Sequence, residues 1–303
     1  MHGHHGHDHH HHPHGENTRR LALALAINVA LLAAGLVGAI VFDSVALLAD
    51  AGHMLSDIAA ICIGLFAARL ATRPAAGRRT FGYGRTEILA ALANGLALVA
   101  VAMFVILEAL GRLDDPPDVE GLGVLVVGAA TLAGNLAATL VLARGDRQDL
   151  NLEAVLRHSA ADALGSLGVI AAGATVLATG WREADPVAGI LIGLLILASS
   201  WRLVREPIDV LMEAAPAWLS VEELGRAMVD VPGVREVHDL HVWTVTAGFP
   251  ALAAHVRIDP RQNVDEVRTR IEAMLSERFQ IEHTTLQTVV EPLLELEDRR
   301  SRG

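Results

Sequence analysis

His53 and Asp57 stand four apart in the otherwise apolar stretch Leu47–Ile61, LLADAGHMLSDIAAI. On a helix that spacing puts an imidazole and a carboxylate on one face, about a turn apart, so two metal ligands converge on one point. Asp50 lies on the same stripe. The H-x-x-x-D spacing returns at His158 and Asp162, inside LRHSAADALGSLGV, a second long apolar segment. Two such pairs supply the four nitrogen and oxygen ligands of a tetrahedral Zn²⁺ site. The simpler alternative is two unrelated buried pairs, each satisfying itself. Ionisable side chains at membrane depth are costly and by default mark a pathway or a site, which favours one shared intramembrane centre.

The chain around these pairs has 303 residues, 52% of them hydrophobic and only 4% aromatic, with a mean hydropathy of +0.40. That composition fits a membrane protein with a soluble appendage better than a single soluble domain. Six apolar segments approach or exceed the ~20 residues of a spanning helix: Leu21–Phe42, Ser44–Ala71, Thr86–Leu113, Leu122–Ala143, Leu152–Ala178 and Pro186–Val204. Arginines flank one side of them, at Arg19 and Arg20, Arg69 to Arg85, Arg144 and Arg147, and Arg202 and Arg205. The opposite loops hold Arg112 and Arg182 among several acids. The excess of positive charge on one side places both termini in the cytoplasm. Small residues such as Gly165, Gly168, Gly189 and Gly193 would let these helices approach closely.

Other features bound the chemistry. The one cysteine, Cys62, can build neither a disulfide framework nor a thiolate zinc cluster within the chain. Lysine is absent, and the net charge of −11 argues against nucleic acid as a partner while suiting cations. Residues 1–18 are a flexible tail whose first fifteen include nine histidines, MHGHHGHDHHHHPHG, able to hold Zn²⁺, Ni²⁺ or Cu²⁺ loosely. Residues 19–206 form the six-helix transmembrane domain, 207–292 a cytosolic α+β domain and 293–303 a charged tail.

The connector Glu206–Trp218, with Pro207 and Pro216, marks the change of domain. Ser220 and Glu223 form a capping box for a helix to about Val229, ended by Pro232 and Gly233. Strands follow at Val234–Thr246 and Leu252–Ile258, then a helix from Asn263 to about Phe279, then a strand at Thr284–Val290. This order fits helices packed on one face of a small sheet. His238 and His241, three apart on one strand, point to opposite sides unless a bulge intervenes.

The segments SVALLADAGHMLSD, RRTFGYGRTEILAALANG and HSAADALGSLGV, followed by VHDLHVWTVTAG, together resemble the cation diffusion facilitator family of divalent-metal transporters. The likeness runs from the first helix to the end of the C-terminal domain. It implies a homodimeric metal/proton antiporter with a transport site at His53, Asp57, His158 and Asp162, a pattern that resembles the zinc-preferring members. It also implies a ferredoxin-like, metallochaperone-like cytosolic domain with metal at the dimer interface on His238 and His255, and His283 as a third candidate. Two departures stand out. Thr72–Tyr83 lacks the His and Asp of an additional site that some members carry between the second and third helices, and Arg144–Asn151 lacks a histidine-rich loop. The first implies that the additional site is missing; the second, with the histidines at the N-terminus instead, brings the chain nearer the bacterial branch and a cell-membrane location.

The expected function is therefore export of Zn²⁺, with Co²⁺, Cd²⁺ or Ni²⁺ as further cargo, from the cytosol in exchange for H⁺. Neutral imidazoles and ionised carboxylates bind metal, so protons drive it off. A membrane-embedded metal hydrolase would need an open coordination position, which four protein ligands do not leave. A metal sensor or storage protein would explain the histidine tract and the soluble domain without requiring ligands inside the bilayer, and transport across a sealed vesicle separates it from an exporter.

Overall fold

The computed structural model describes residues 14–143, 152–246 and 248–290. The histidine tract ahead of His14, the connection between the fourth and fifth helices and the charged tail lie outside them. Six long helices come first: α1 (His14–Val41), α2 (Val45–Ala71), α3 (Arg85–Gly111), α4 (Gly121–Ala143), α5 (Leu152–Thr179) and α6 (Ala184–Leu211). Among the described residues, α2, α3 and α6 and the stretches Gly121–Leu140 and Asp162–Thr179 are long and apolar enough to cross a membrane. The described apolar part of α1, Leu25–Val41, is shorter. All six expected segments are helical. α6 runs to Leu211, past Pro207 and beyond the expected end at Val204. A proline inside a helix removes one backbone hydrogen bond. Here Arg202 pairs with Glu206 at 2.9 Å in the turn before it, and Arg205 pairs with Asp209 at 3.6 Å across it, which supports the exposed helix at the lost bond.

The described residues fall into two compact units, one built from the chain up to Cys62 together with Asn94–Trp201, the other from Ile63–Ala93 and the chain from Arg202 on. In the first, the usual polarity of a soluble protein is inverted. Phe104, Leu107 and Leu191 are largely exposed, whereas Ser166, Ser200 and Asp185 are buried. Hydrocarbon as the surrounding solvent accounts for this, since lipid offers polar groups nothing to bond. The start of α2 is the centre of the core: Val45, Ala46, Leu47 and Ala49 pack with Ala102 and Val105 of α3, Val124 of α4, Val169 of α5 and Ile192 of α6. Small residues permit the close contacts. A Cβ on Gly121 of α4 would lie 2.8 Å from the carbonyl oxygen of Gly173 on α5, so these helices meet backbone to backbone. A Cβ on Gly189 of α6 would lie 2.9 Å from the Val45 side chain, which brings α6 onto α2.

In the second unit the expected order appears as α7 (Val221–Val229), β1 (Val234–Thr246), β2 (Phe249–Ile258), α8 (Val264–Phe279) and β3 (His283–Val290). Ser220 caps α7 by accepting from the Glu223 N–H, and Asn263 caps α8 by accepting from Asp265 and Glu266. β2 pairs antiparallel with β1 and parallel with β3, giving the order β1-β2-β3. α8 buries Val267, Ile271 and Leu275, spaced by four, with Phe279 one turn on. Each contributes about 1.5–3 kcal/mol by leaving water. Leu224 and Met228 of α7 and Leu252, Val256 and Ile258 of β2 complete this core.

Candidate metal site

α2 starts where it does because two side chains serve its free N–H groups. Ser44 accepts from the Leu47 N–H at 3.1 Å, and the Asp185 carboxylate, from the first turn of α6, accepts from the Val45 N–H at 2.7 Å and from the Ser44 hydroxyl at 2.5 Å. Both residues are buried. Ahead of them Asp43 takes a left-handed φ of 50°, and Arg112, at the end of α3, donates to its carbonyl at 2.9 Å and its carboxylate at 2.7 Å. The helix that carries the first H-x-x-x-D pair is thus fixed at its start by α3 and α6. Asp185 has no signature for this role in the sequence. An aspartate beside Pro186 at a helix start suggests a cap for its own helix, and only the packing shows that it serves α2.

Two turns along α2, His53 faces α5. Its Nε2 lies 3.2 Å from Asp162 Oδ1 and 3.8 Å from Asp57 Oδ2. One ligand atom from each of the three residues lies within 4.8 Å of the other two. Ligands about 2.0–2.2 Å from a tetrahedral Zn²⁺ stand roughly 3.4 Å apart, so small side-chain adjustments would close the three around one ion. All three are largely shielded, with 17–25% of each side chain exposed. His158 lies on α5 one turn before Asp162, and its side chain falls outside the described residues. The structure thus brings together three of the four residues expected from the sequence and places the backbone of the fourth on the helix that carries Asp162.

A further carboxylate, Asp50, is buried one turn before His53. Its Oδ1 would lie 3.2 Å from a Cβ on Gly165 of α5, so the glycine leaves room for it between the helices. Asp50 interacts electrostatically with both His53 and Asp162. With Asp57 and Asp162 it surrounds the imidazole with carboxyl groups, a donor set that suits a dication.

In the second unit, His238 of β1 stands directly across from His255 of β2, their rings edge to face with centroids 5.1 Å apart. A bulge does intervene between His238 and His241: the register shifts there, and Asp239 takes a left-handed φ of 55°. The bulge aims the Asp239 carboxylate at His241, 3.0 Å away, and at His255, 3.9 Å away. His283 is not brought to this cluster. It sits opposite Ala251 at the start of β3, four registers from His255, whose neighbour on β3 is Gln287. At about 3.3 Å per residue that is roughly 13 Å along the strand. The His283 ring instead packs edge-on against Phe81 and Phe249.

Comparison with known proteins agrees with both units. Residues 21–212 match the model of the cation efflux transmembrane domain, and residues 216–292 that of the cation efflux protein cytoplasmic domain. The chain is 39% identical over 268 residues to the zinc transporter ZitB of Shigella flexneri, covering 88% of this chain and 85% of that protein. It is 40% identical over 262 residues to the metal cation efflux system protein CzcD of Cupriavidus metallidurans, covering 86% and 83%. A cadmium, cobalt and zinc/H(+)-K(+) antiporter of Bacillus velezensis is 37% identical over 256 residues, covering 83% and 82%.

Proposed function

The chain belongs to the cation efflux family, the cation diffusion facilitators, and on that premise we propose that it exports Zn²⁺ from the bacterial cytosol in exchange for H⁺ through His53, Asp57, His158 and Asp162. Efflux of a divalent metal cation by a multi-pass membrane protein is the coarser statement that the family itself carries, and the chain is a transporter rather than an enzyme. The observation that carries the finer reading is the convergence of His53, Asp57 and Asp162 on one point between α2 and α5.

The chemistry of transport follows from those ligands. On the near-neutral cytosolic side the imidazoles are largely neutral and the carboxylates ionised, and Zn²⁺ loads. On a more acidic outer side protons compete for the same atoms, so Zn²⁺ leaves and H⁺ returns on the histidines. Both termini face the cytosol in this reading, and the C-terminal domains of two protomers bind metal through His238 and His255. Asp239, which sequence reading does not single out, adds a carboxylate to that second cluster.

The test is Zn²⁺ flux into proteoliposomes under an imposed pH gradient, for the native chain and for the double variant Asp57→Ala, Asp162→Ala. Flux that requires the gradient and vanishes in the variant is expected. Undiminished flux in the variant would move the pathway elsewhere, and no flux in either protein with Zn²⁺ binding intact would leave a membrane-bound sensor.

A further inference from the structure

We propose that the second unit holds a binding site for an organic phosphate, in a cavity between the arginine-rich connection of α2 to α3 and strand β1. The cavity measures about 850 Å³, and its lining includes Arg78, Arg79 and Arg85 together with Leu240 and Trp243 of β1. That volume falls within the roughly 300–1,000 Å³ of small-molecule sites, which pair apolar walls with a few placed polar groups.

The three guanidinium groups are not equivalent. Arg79 donates to the Tyr83 hydroxyl at 3.0 Å and stacks over that ring at 4.5 Å. Arg85 donates through Nε to the Val245 carbonyl at 3.3 Å and faces Glu213 at 3.5 Å. Each is thereby held in place while keeping N–H donors to spare, since a guanidinium has five. Arg78 makes no hydrogen bond or ion pair among the described residues. One acid, Glu213, also lines the cavity and is opposed by Arg85, so the lining is net positive in a chain whose net charge is −11.

A positive excess on one side of the bilayer explains why arginines occur in this connection. It does not explain why two of them are braced at the wall of a concave site beside an indole. Three guanidinium-bearing side chains in one lining suit the several terminal oxygens of a phosphate better than a planar carboxylate, which one arginine can satisfy. Leu240 and Trp243 would cover the apolar or aromatic remainder of the ligand. A phospholipid headgroup and a soluble phosphate ester share this chemistry.

The experiment is native mass spectrometry of the full chain in detergent, with three probes: dihexanoyl phosphatidylglycerol below its micelle concentration, dihexanoylglycerol, which lacks the phosphate, and inorganic pyrophosphate. Each is titrated against the native chain, Arg78→Gln and Arg73→Gln, the last altering an arginine of the same connection that does not line the cavity. Saturable binding of phosphatidylglycerol or pyrophosphate, weakened about tenfold or more by Arg78→Gln and unchanged by Arg73→Gln, is expected. Binding of phosphatidylglycerol alone would identify a lipid source, and binding of pyrophosphate a soluble one. Three results would overturn the proposal: no saturable binding of either phosphate probe, equal weakening by Arg73→Gln, or dihexanoylglycerol binding as tightly as the phospholipid.

Discussion

His53 lies 3.2 Å from Asp162 across two helices, and that contact answers part of the cost of burying both groups. On the proposed function Zn²⁺ replaces the contact with two bonds. Asp162→Asn should therefore lower Zn²⁺ flux by at least about 10-fold, since ligands contribute no less than the outer-shell partners whose loss weakens metal binding by 10–100-fold. The asparagine still fills the space and can still bond His53, so the folded population should change little, and detergent-solubilised yield alongside flux checks both. Asp259 gives a pH prediction in the second unit. The Arg261 backbone N–H and then the Arg235 guanidinium hold its carboxyl below its ordinary value of 3.8. A carboxyl with a depressed folded value stabilises the fold above its unfolded value and loses that contribution as pH falls through the folded one. Asp259→Asn should thus lower the thermal midpoint of the sheet near neutral pH, with the difference shrinking below pH 3.8; circular dichroism melts at several pH values measure it.

At the scale of elements, the start of α2 depends on a carboxylate borrowed from α6. Asp185→Ala leaves the Val45 N–H and the Ser44 hydroxyl without their acceptor in a dry interior, a loss of about 1–3 kcal/mol. It should lower the thermal midpoint and, because α2 carries His53 and Asp57, reduce flux as well. Asp185→Asn, which keeps one acceptor oxygen, should recover part of both. The backbone contact of α4 with α5 makes a second prediction. A Cβ at Gly173 would stand 2.7 Å from the Leu125 nitrogen and 2.9 Å from the Gly121 carbonyl oxygen. Neither backbone atom can rotate away, so Gly173→Val should push the helices apart at a cost of roughly 1–3 kcal/mol or more. Substitution at Gly64, where a Cβ meets nothing, serves as the control in the same thermal-unfolding series.

For the whole molecule, the exposed apolar side chains and buried polar ones of the first unit follow from hydrocarbon as the surrounding solvent. The second unit has an ordinary aqueous core, with Leu224, Ile271 and Leu275 fully buried. Its cross-strand histidines carry the prediction at this scale. If metal on His238 and His255 draws two protomers together, added Zn²⁺ should raise the dimer fraction of the native chain in light scattering. His238→Ala with His255→Ala should abolish that rise. A dimer fraction in the double variant that still follows Zn²⁺ would remove these residues from the interface.

Six helices, the order helix–strand–strand–helix–strand and the two H-x-x-x-D pairs are legible in the sequence because each rests on local periodicity. Apolar runs of spanning length, capping residues such as Ser220 and Asn263, and i to i+4 spacing need no knowledge of distant partners. What lies between elements is not legible in this way. That Asp185 caps α2, that Gly165 makes room for Asp50, and that α6 survives Pro207 as far as Leu211 depend on packing across long separations or on flanking ion pairs. The sheet shows the same division. Alternation predicts opposite faces for His238 and His241, but a bulge at Asp239 interrupts the alternation, and strand register alone separates His283 from His255. Sequence by itself determined the elements and the candidate ligand pairs, because both reside in neighbouring residues. Tertiary structure decided which candidates share a point, because that distance is set by helices and strands far apart in the chain.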